Sequence, residues 1–249
     1  MDAATFWLPA LFFLIAAFYA SVGFGGGSSY LAVLAIAGLP YRAIPQTALI
    51  CNLIVSSGGV WHFFRGGHMR FHRVLPFVVL SVPMAYLGGR IPVGRTVFLV
   101  LLGASLFVAA VRMFLPQPRL GVLARMSDRT PWLVGIPVGG ALGLLSGLVG
   151  IGGGIFLAPI LILTGWSDAR GTAAAAAVFI LVNSLSGLVG QFSKGIFLDS
   201  SIFPLVIAVL LGGQIGSRLG AYRLPVAGVK RLLAGLILFV SVRILWSAL

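Results

Sequence analysis

Two glycine runs set the chemistry open to this chain. Val22-Gly23-Phe24-Gly25-Gly26-Gly27 and Val149-Gly150-Ile151-Gly152-Gly153-Gly154 lie about 127 residues apart, each between apolar stretches. A glycine run weakens a helix, and a short helix that opens directly after one presents its first backbone N–H groups without intrahelical partners. Such an end is equivalent to about half a positive charge and binds anions. The recurrence predicts two such ends converging, with Gly25, Gly26 and Gly27 opposite Gly152, Gly153 and Gly154. Ser28 and Ser29 add hydroxyl donors in the first half, where the second half has Ile155 and Phe156, so the expected pocket is asymmetric. Glycines also serve close helix packing in lipid, and it is their repetition in two halves that argues for a binding role.

Further donors flank these runs. Gln46, Thr47 and Asn52 share one apolar segment, Thr172 and Asn183 share its counterpart, and Gln191 and Gln214 follow. Amide and hydroxyl groups can donate to an anion, and the same residue types also tie helices together. Gly88-Gly89-Arg90 and Gly216-Ser217-Arg218 end corresponding segments, which makes Arg90 and Arg218 candidates for an anion entrance, or for arginines that snorkel to the membrane surface.

Other chemistries find little support. The only acids, Asp2, Asp128, Asp168 and Asp199, all fall near segment ends, so a buried carboxylate proton relay is not expected. His62 lies within a predicted span but close to its end. His68 and His72 are four apart, yet Gly66-Gly67-His68-Met69-Arg70 reads as a loop rather than a metal-binding helix face. Gly143-Leu144-Leu145-Ser146-Gly147 is not a nucleophile elbow, and neither catalysis nor a metal or other cofactor is expected. The lone Cys51 reads as a packing residue.

The elements that hold these residues are transmembrane helices. Of 249 residues 59% are hydrophobic and 8% charged, with a mean hydropathy of +1.11, whereas soluble domains carry roughly a quarter charged residues. The net charge of +13 is spread over short loops, which excludes nucleic-acid binding and leaves the lipid bilayer as the expected surroundings. Hydrophobic runs give five segments per half: 6–22, 28–39, 46–64, 74–89 and 96–114, then 132–149, 155–165, 172–193, 202–217 and 229–248. The expected organisation is a first repeat over residues 1–115, a linker over 116–131 rich in Pro, Arg and Asp, and a second repeat over 132–249. The second segment of each half has only about a dozen residues, against ~20 for a crossing, and is either a short helix or a re-entrant one.

Charge placement chooses between topologies. With all five segments crossing, the second half is inverted, the N-terminus lies outside, and Arg42, Arg90, Arg95, Lys194 and Arg243 are the outer cations, leaving 12 of 17 inside. With the second segment alone entering and leaving on one side, the cations divide 9 to 8. The bias favours an all-α polytopic protein of about ten segments in two inverted five-helix repeats, with short helices broken by glycine.

Gly23-Phe24-Gly25-Gly26-Gly27, Gly147-Leu148-Val149-Gly150-Ile151-Gly152-Gly153-Gly154, Gly171-Thr172-Ala173 and Asn183-Ser184-Leu185-Ser186-Gly187 carry a family likeness. Over nearly its whole length the chain resembles the TauE/SafE family of sulfite and organosulfonate exporters. The resemblance implies a transporter of small sulfur-containing anions, such as sulfite, sulfoacetate and related sulfonates, in the inner (plasma) membrane of a bacterium. An anion channel or an uptake carrier for another small anion fits the same residues; the coupling ion and oligomeric state stay open.

Overall fold

A computed structural model describes residues 4–114, 130–163, 169–198 and 202–223, together with Leu238, Ser241, Val242, Leu245 and Trp246. The helices are α1 (Ala4–Ser21), α2 (Gly27–Ile36), α3 (Ala43–Arg65), α4 (Phe71–Arg90), α5 (Arg95–Phe114), α6 (Thr130–Val149), α7 (Gly154–Leu163), α8 (Ala169–Phe192) and α9 (Ile202–Tyr222). The described residues contain no strand. Each matches an expected segment to within a few residues at its ends. Most of the 116–131 linker and the last expected segment fall outside the described residues.

The solvent for this fold is lipid. Phe203 and Leu133 are 67% and 74% exposed, while Gln46, Asn52, Asn183 and Ser184 are fully buried. Large apolar side chains outside and amides inside are unfavourable in water and natural in a bilayer, where a polar side chain finds partners only among other helices. Among the described residues five helical stretches are long and apolar enough to cross a membrane: α3, α4, Trp132–Val149 of α6, α8 and α9. The chain is an integral, polytopic helical membrane protein.

The two glycine runs end one helix and start another. At the end of α1, Gly23 takes a left-handed conformation (φ +81°), its N–H donates to the Ala20 carbonyl and the Phe24 N–H reaches the Tyr19 carbonyl. That Schellman closure satisfies the last carbonyls and stops the helix. Gly26, also left-handed at φ +89°, then caps α2 and accepts from the N–H groups of Ser29 and Tyr30. In the second run Gly150 (φ +89°) closes α6 on the Ser146 carbonyl, and Gly153 (φ +78°) accepts from Phe156 and Leu157. An offset of 127 residues maps left-handed Gly23 and Gly26 onto Gly150 and Gly153, with the same cap bonds at Gly26 and Gly153; Gly152 (φ +84°) is left-handed too, without a counterpart at Gly25.

The first break reverses the chain. Tyr30, in the first turn of α2, stacks on Phe12 with ring centroids 4.6 Å apart, although Phe12 lies nine residues before the end of α1. Only a helix folded back along α1 can place it there. At 10 residues each, α2 and α7 are about 15 Å long, half of a ~30 Å hydrocarbon core. α2 is thus the returning arm of a hairpin whose turn is the first glycine run.

Small residues fix how the long helices pair. Cβ atoms at Gly139, Gly143 and Gly147 of α6 would collide with the backbone of Phe77, Ser81 and Ala85 on α4. Those at Gly212, Gly216 and Gly220 of α9 would collide with Phe13, Ala17 and Ser21 on α1. Both series advance in step, so each pair runs parallel at backbone-to-backbone distance. α3 and α8 run antiparallel through the centre, with Gly59 against Ala177, Gly187 near Leu49, and Gln46 bonded to Gln191.

Candidate functional site

The two breaks meet beside the middle of α3 and α8. Asn52, on α3, donates from Nδ2 to the Ile151 carbonyl at 3.2 Å, and its amide fills the space that Cβ atoms at Gly25, Gly27 and Gly152 would need. Ile180, on α8, fills the matching space at Gly25, Gly152 and Gly154. Exchanging the two runs, Gly25 for Gly152 and Gly27 for Gly154, turns the surroundings of Asn52 into those of Ile180. The counterpart of Asn52 across the duplication is therefore an isoleucine. Asn183 instead donates to the Phe179 carbonyl of its own helix at 2.8 Å.

Aromatic residues close the flanks. A Cβ at Gly26 would lie 2.8 Å from the Tyr30 ring and hydroxyl, and one at Gly153 2.8 Å from the Phe179 ring. Ser28 donates to the Tyr19 hydroxyl at 3.2 Å, and Ser29 and Tyr19 share a 2.7 Å hydroxyl–hydroxyl bond. The two serines expected as free donors are thus engaged with a buried tyrosine on α1. Beside the runs three buried polar atoms have no partner among the described residues: the Tyr30 hydroxyl at Gly26, Asn52 Oδ1 at Gly25 and Gly27, and the Ser184 hydroxyl at Gly152; Asn183 Oδ1 and the hydroxyls of Ser146 and Thr172 are likewise buried without one. An unsatisfied buried group costs about 1–3 kcal/mol, so such a concentration marks a place where water or a ligand completes the bonding.

The glutamines join the ends of elements. Gln46 donates to the Gly195 carbonyl at 2.7 Å and accepts from the Phe197 N–H at 2.9 Å, stitching the start of α3 to the loop after α8. Gln191 donates to the Gly147 carbonyl at 2.8 Å, beside the second break. Gln214 is bonded to His62 at 2.9 Å toward the other end of α3, away from the breaks. Thr47 is buried and borders a small apolar pocket with Leu39, Pro40 and Leu205.

Neither arginine proposed as an entrance lines a described cavity. Arg90 lies over the Tyr86 ring at 5.6 Å, and Arg218 is exposed on α9. A cavity of about 220 Å³ instead opens at the α3 N-terminal end of the bundle, lined by Tyr41, Arg42, Pro92, Val93, Phe98, Lys194 and Phe197. Gln191, Leu148 and Pro45 also line it, and Pro45 packs on Gly150 of the second break. Tyr19, Tyr30, Ile180, Arg42 and Lys194 escaped the sequence reading as site residues. The signal for the last two was present, because both fall among the five outer cations of the charge count.

These features define the class: a polytopic helical membrane protein with a polar junction buried where two glycine breaks meet and a cavity whose lining residue Pro45 touches the second of them. The family described as Sulfite exporter TauE/SafE matches residues 8–244, and the chain belongs to it. A "Probable membrane transporter protein y4hK" from Sinorhizobium fredii is 35% identical over 247 residues, covering 99% of this chain and 100% of the relative. A "Probable membrane transporter protein ORF9" from Sinorhizobium sp is 25% identical over 248 residues, covering 97% and 92%. No solved structure matches the chain.

Proposed function

We propose that this chain is a secondary carrier that exports small sulfur-containing anions, sulfite or short organosulfonates, across the bacterial inner membrane by alternating access. The observation that carries the reading is the meeting of two matched glycine breaks around Asn52, amid buried polar atoms that lack partners. The N–H groups of Gly27 and Ser28 and of Gly154 and Ile155 precede the first intrahelical bonds of α2 and α7, so the ends offer donors as well as dipoles. Tyr30 and Ser184 add hydroxyls. An anion leaving water at the junction exchanges its hydration for these groups.

The same reading takes the two halves as inverted repeats of five segments. In support, α3 and α8 run antiparallel, and the first helix of each half pairs in parallel with the fourth helix of the other, α1 with α9 and α6 with α4. Rocking about such an arrangement exposes a central site to either side. The tight filling of the breaks by Asn52, Ile180, Tyr30 and Phe179 favours a carrier over an open channel. The cell's inside-negative potential favours outward movement of an anion by about 2.3 kcal/mol per charge per 100 mV.

Flux of labelled sulfite, sulfoacetate, taurine and sulfate into proteoliposomes, with and without imposed potential, tests this. Saturable flux with counterflow of one sulfur anion is the expected result. Flux that rises linearly with concentration would make the protein a channel, and inert protein toward every sulfur anion would overturn the substrate assignment.

A further inference from the structure

The cavity beside α3 belongs to none of the residues singled out by the glycine motif except Gln191, and its two cations are otherwise unused. Arg42 lies 5.7 Å from the ring centroids of both Tyr41 and Phe197, and its Nε donates to the Tyr41 hydroxyl at 3.2 Å. These contacts hold the guanidinium at the cavity rim while leaving most of its five donors uncommitted. Phe197 is itself fixed, since its backbone N–H is bonded to Gln46 Oε1. Lys194 enters from the loop after α8 and makes one long contact, 3.4 Å, to the Ile91 carbonyl at the end of α4. No described residue lining the cavity is acidic. Two cations of separate elements line one space, and Val93, Phe98 and Leu148 add apolar surface to it.

We propose that this cavity binds a small organic anion, its sulfonate- or carboxylate-type head between Arg42 and Lys194 and a short apolar body against Phe98 and Phe197. The volume decides the size. About 220 Å³ is several times the ~30 Å³ that one water occupies in the liquid, so the space suits a head with a short carbon chain better than a bare inorganic ion. Planar guanidinium pairs with a trigonal or tetrahedral oxyanion through two bonds, and the ammonium supplies a point charge beside it. Because Pro45 and Leu148 at the inner end touch or border the second glycine run, the bound anion waits one step from the junction. This inference rests on the carrier reading only for that last step; binding itself does not depend on transport.

The test is equilibrium binding to the purified full-length protein in nanodiscs, with propane-1-sulfonate, butyrate, sulfite and chloride as probes. The expected order places the two organic anions above sulfite and chloride. Arg42→Gln and Lys194→Gln should each weaken propane-1-sulfonate about tenfold, about the effect of one charge-assisted contact. Arg42→Lys should retain part of the affinity, and Arg90→Gln should leave it unchanged. Phe197→Ala should remove the preference for propane-1-sulfonate over methanesulfonate without altering that for anions over neutral analogues. Wild-type affinity in a folded Arg42→Gln/Lys194→Gln double variant, or no binding of either organic anion to the native protein, would overturn the proposal. Flux measured in parallel separates the two readings. Arg42-dependent binding with no flux retains the cavity site and removes the carrier, whereas flux together with unaltered binding in the double variant does the reverse.

Discussion

The Asn52 amide donates to the backbone carbonyl of Ile151 at 3.2 Å across 99 residues of sequence, joining the middle of α3 to the second glycine run. The bond anchors a carbonyl that the unwound segment cannot satisfy within a helix. It also places an amide at the contact between the runs, where Ile180 holds the equivalent position on α8.

Asn52→Ala should therefore lower both stability and transport. It removes the partner of a buried carbonyl and opens a space beside Gly25, Gly27 and Gly152, for a cost of about 1–3 kcal/mol. Thermal unfolding in detergent should show a lowered Tm, and flux should fall by more than the loss of folded protein explains. Unchanged flux per folded molecule would confine Asn52 to a structural part.

Left-handed glycines separate backbone strain from crowding. Gly38 (φ +77°) has nothing within 4 Å of an added Cβ, whereas Gly26 would meet the Tyr30 ring at 2.8 Å and Gly153 the Phe179 ring at 2.8 Å. Gly38→Ala should cost about 1–2 kcal/mol from conformation alone. Gly26→Ala and Gly153→Ala should cost more and abolish most flux, because the displaced rings border the junction. Chemical denaturation together with flux ranks the three.

Helix pairing should be least tolerant where backbones touch. A Cβ at Gly147 would collide with the Ala85 carbonyl and lie 2.7 Å from the Gly89 nitrogen, neither of which can swing aside, so Gly147→Ala must push α6 away from α4. Yield of monodisperse protein and Tm should both drop sharply. Gly94→Ala, with no atom within 4 Å, is the matched control and should behave as wild type.

Burial lowers the Lys194 pKa below the ordinary 10.5. Its ammonium is therefore lost at a lower pH than that of an exposed lysine. Affinity for propane-1-sulfonate should be flat below that pKa and fall as pH rises through it, while a bound anion favours the charged form and moves the transition upward. Lys194→Arg should bind without this decline, because guanidinium stays charged. A titration of affinity from neutral to pH 10.5 distinguishes the two.

The duplicated glycine runs were fully legible in sequence because left-handed backbone at a helix end demands glycine, and the demand leaves a letter at each of Gly23, Gly26, Gly150 and Gly153. The burial of Asn52, Gln46 and Gln191 was legible too, since an amide within an apolar segment must turn away from lipid. Their partners were not. Asn52 bonds to the Ile151 carbonyl and Asn183 to the Phe179 carbonyl of its own helix, because partners depend on where surfaces fit and not on matching letters. Ser28 and Ser29 looked free until the reversal after α1 brought Tyr19 beside them.

The lipid solvent, the helices, the two interruptions and the family could all be read along the chain, since hydrophobic length and glycine placement are local properties. Tertiary packing set the return of α2 along α1, the contact of the two breaks, and the cavity's cations as Arg42 and Lys194 rather than Arg90 and Arg218. Those outcomes depend on backbone contact between glycine-faced helices from different halves of the chain. Such contacts follow the fit of whole surfaces, which no single segment contains.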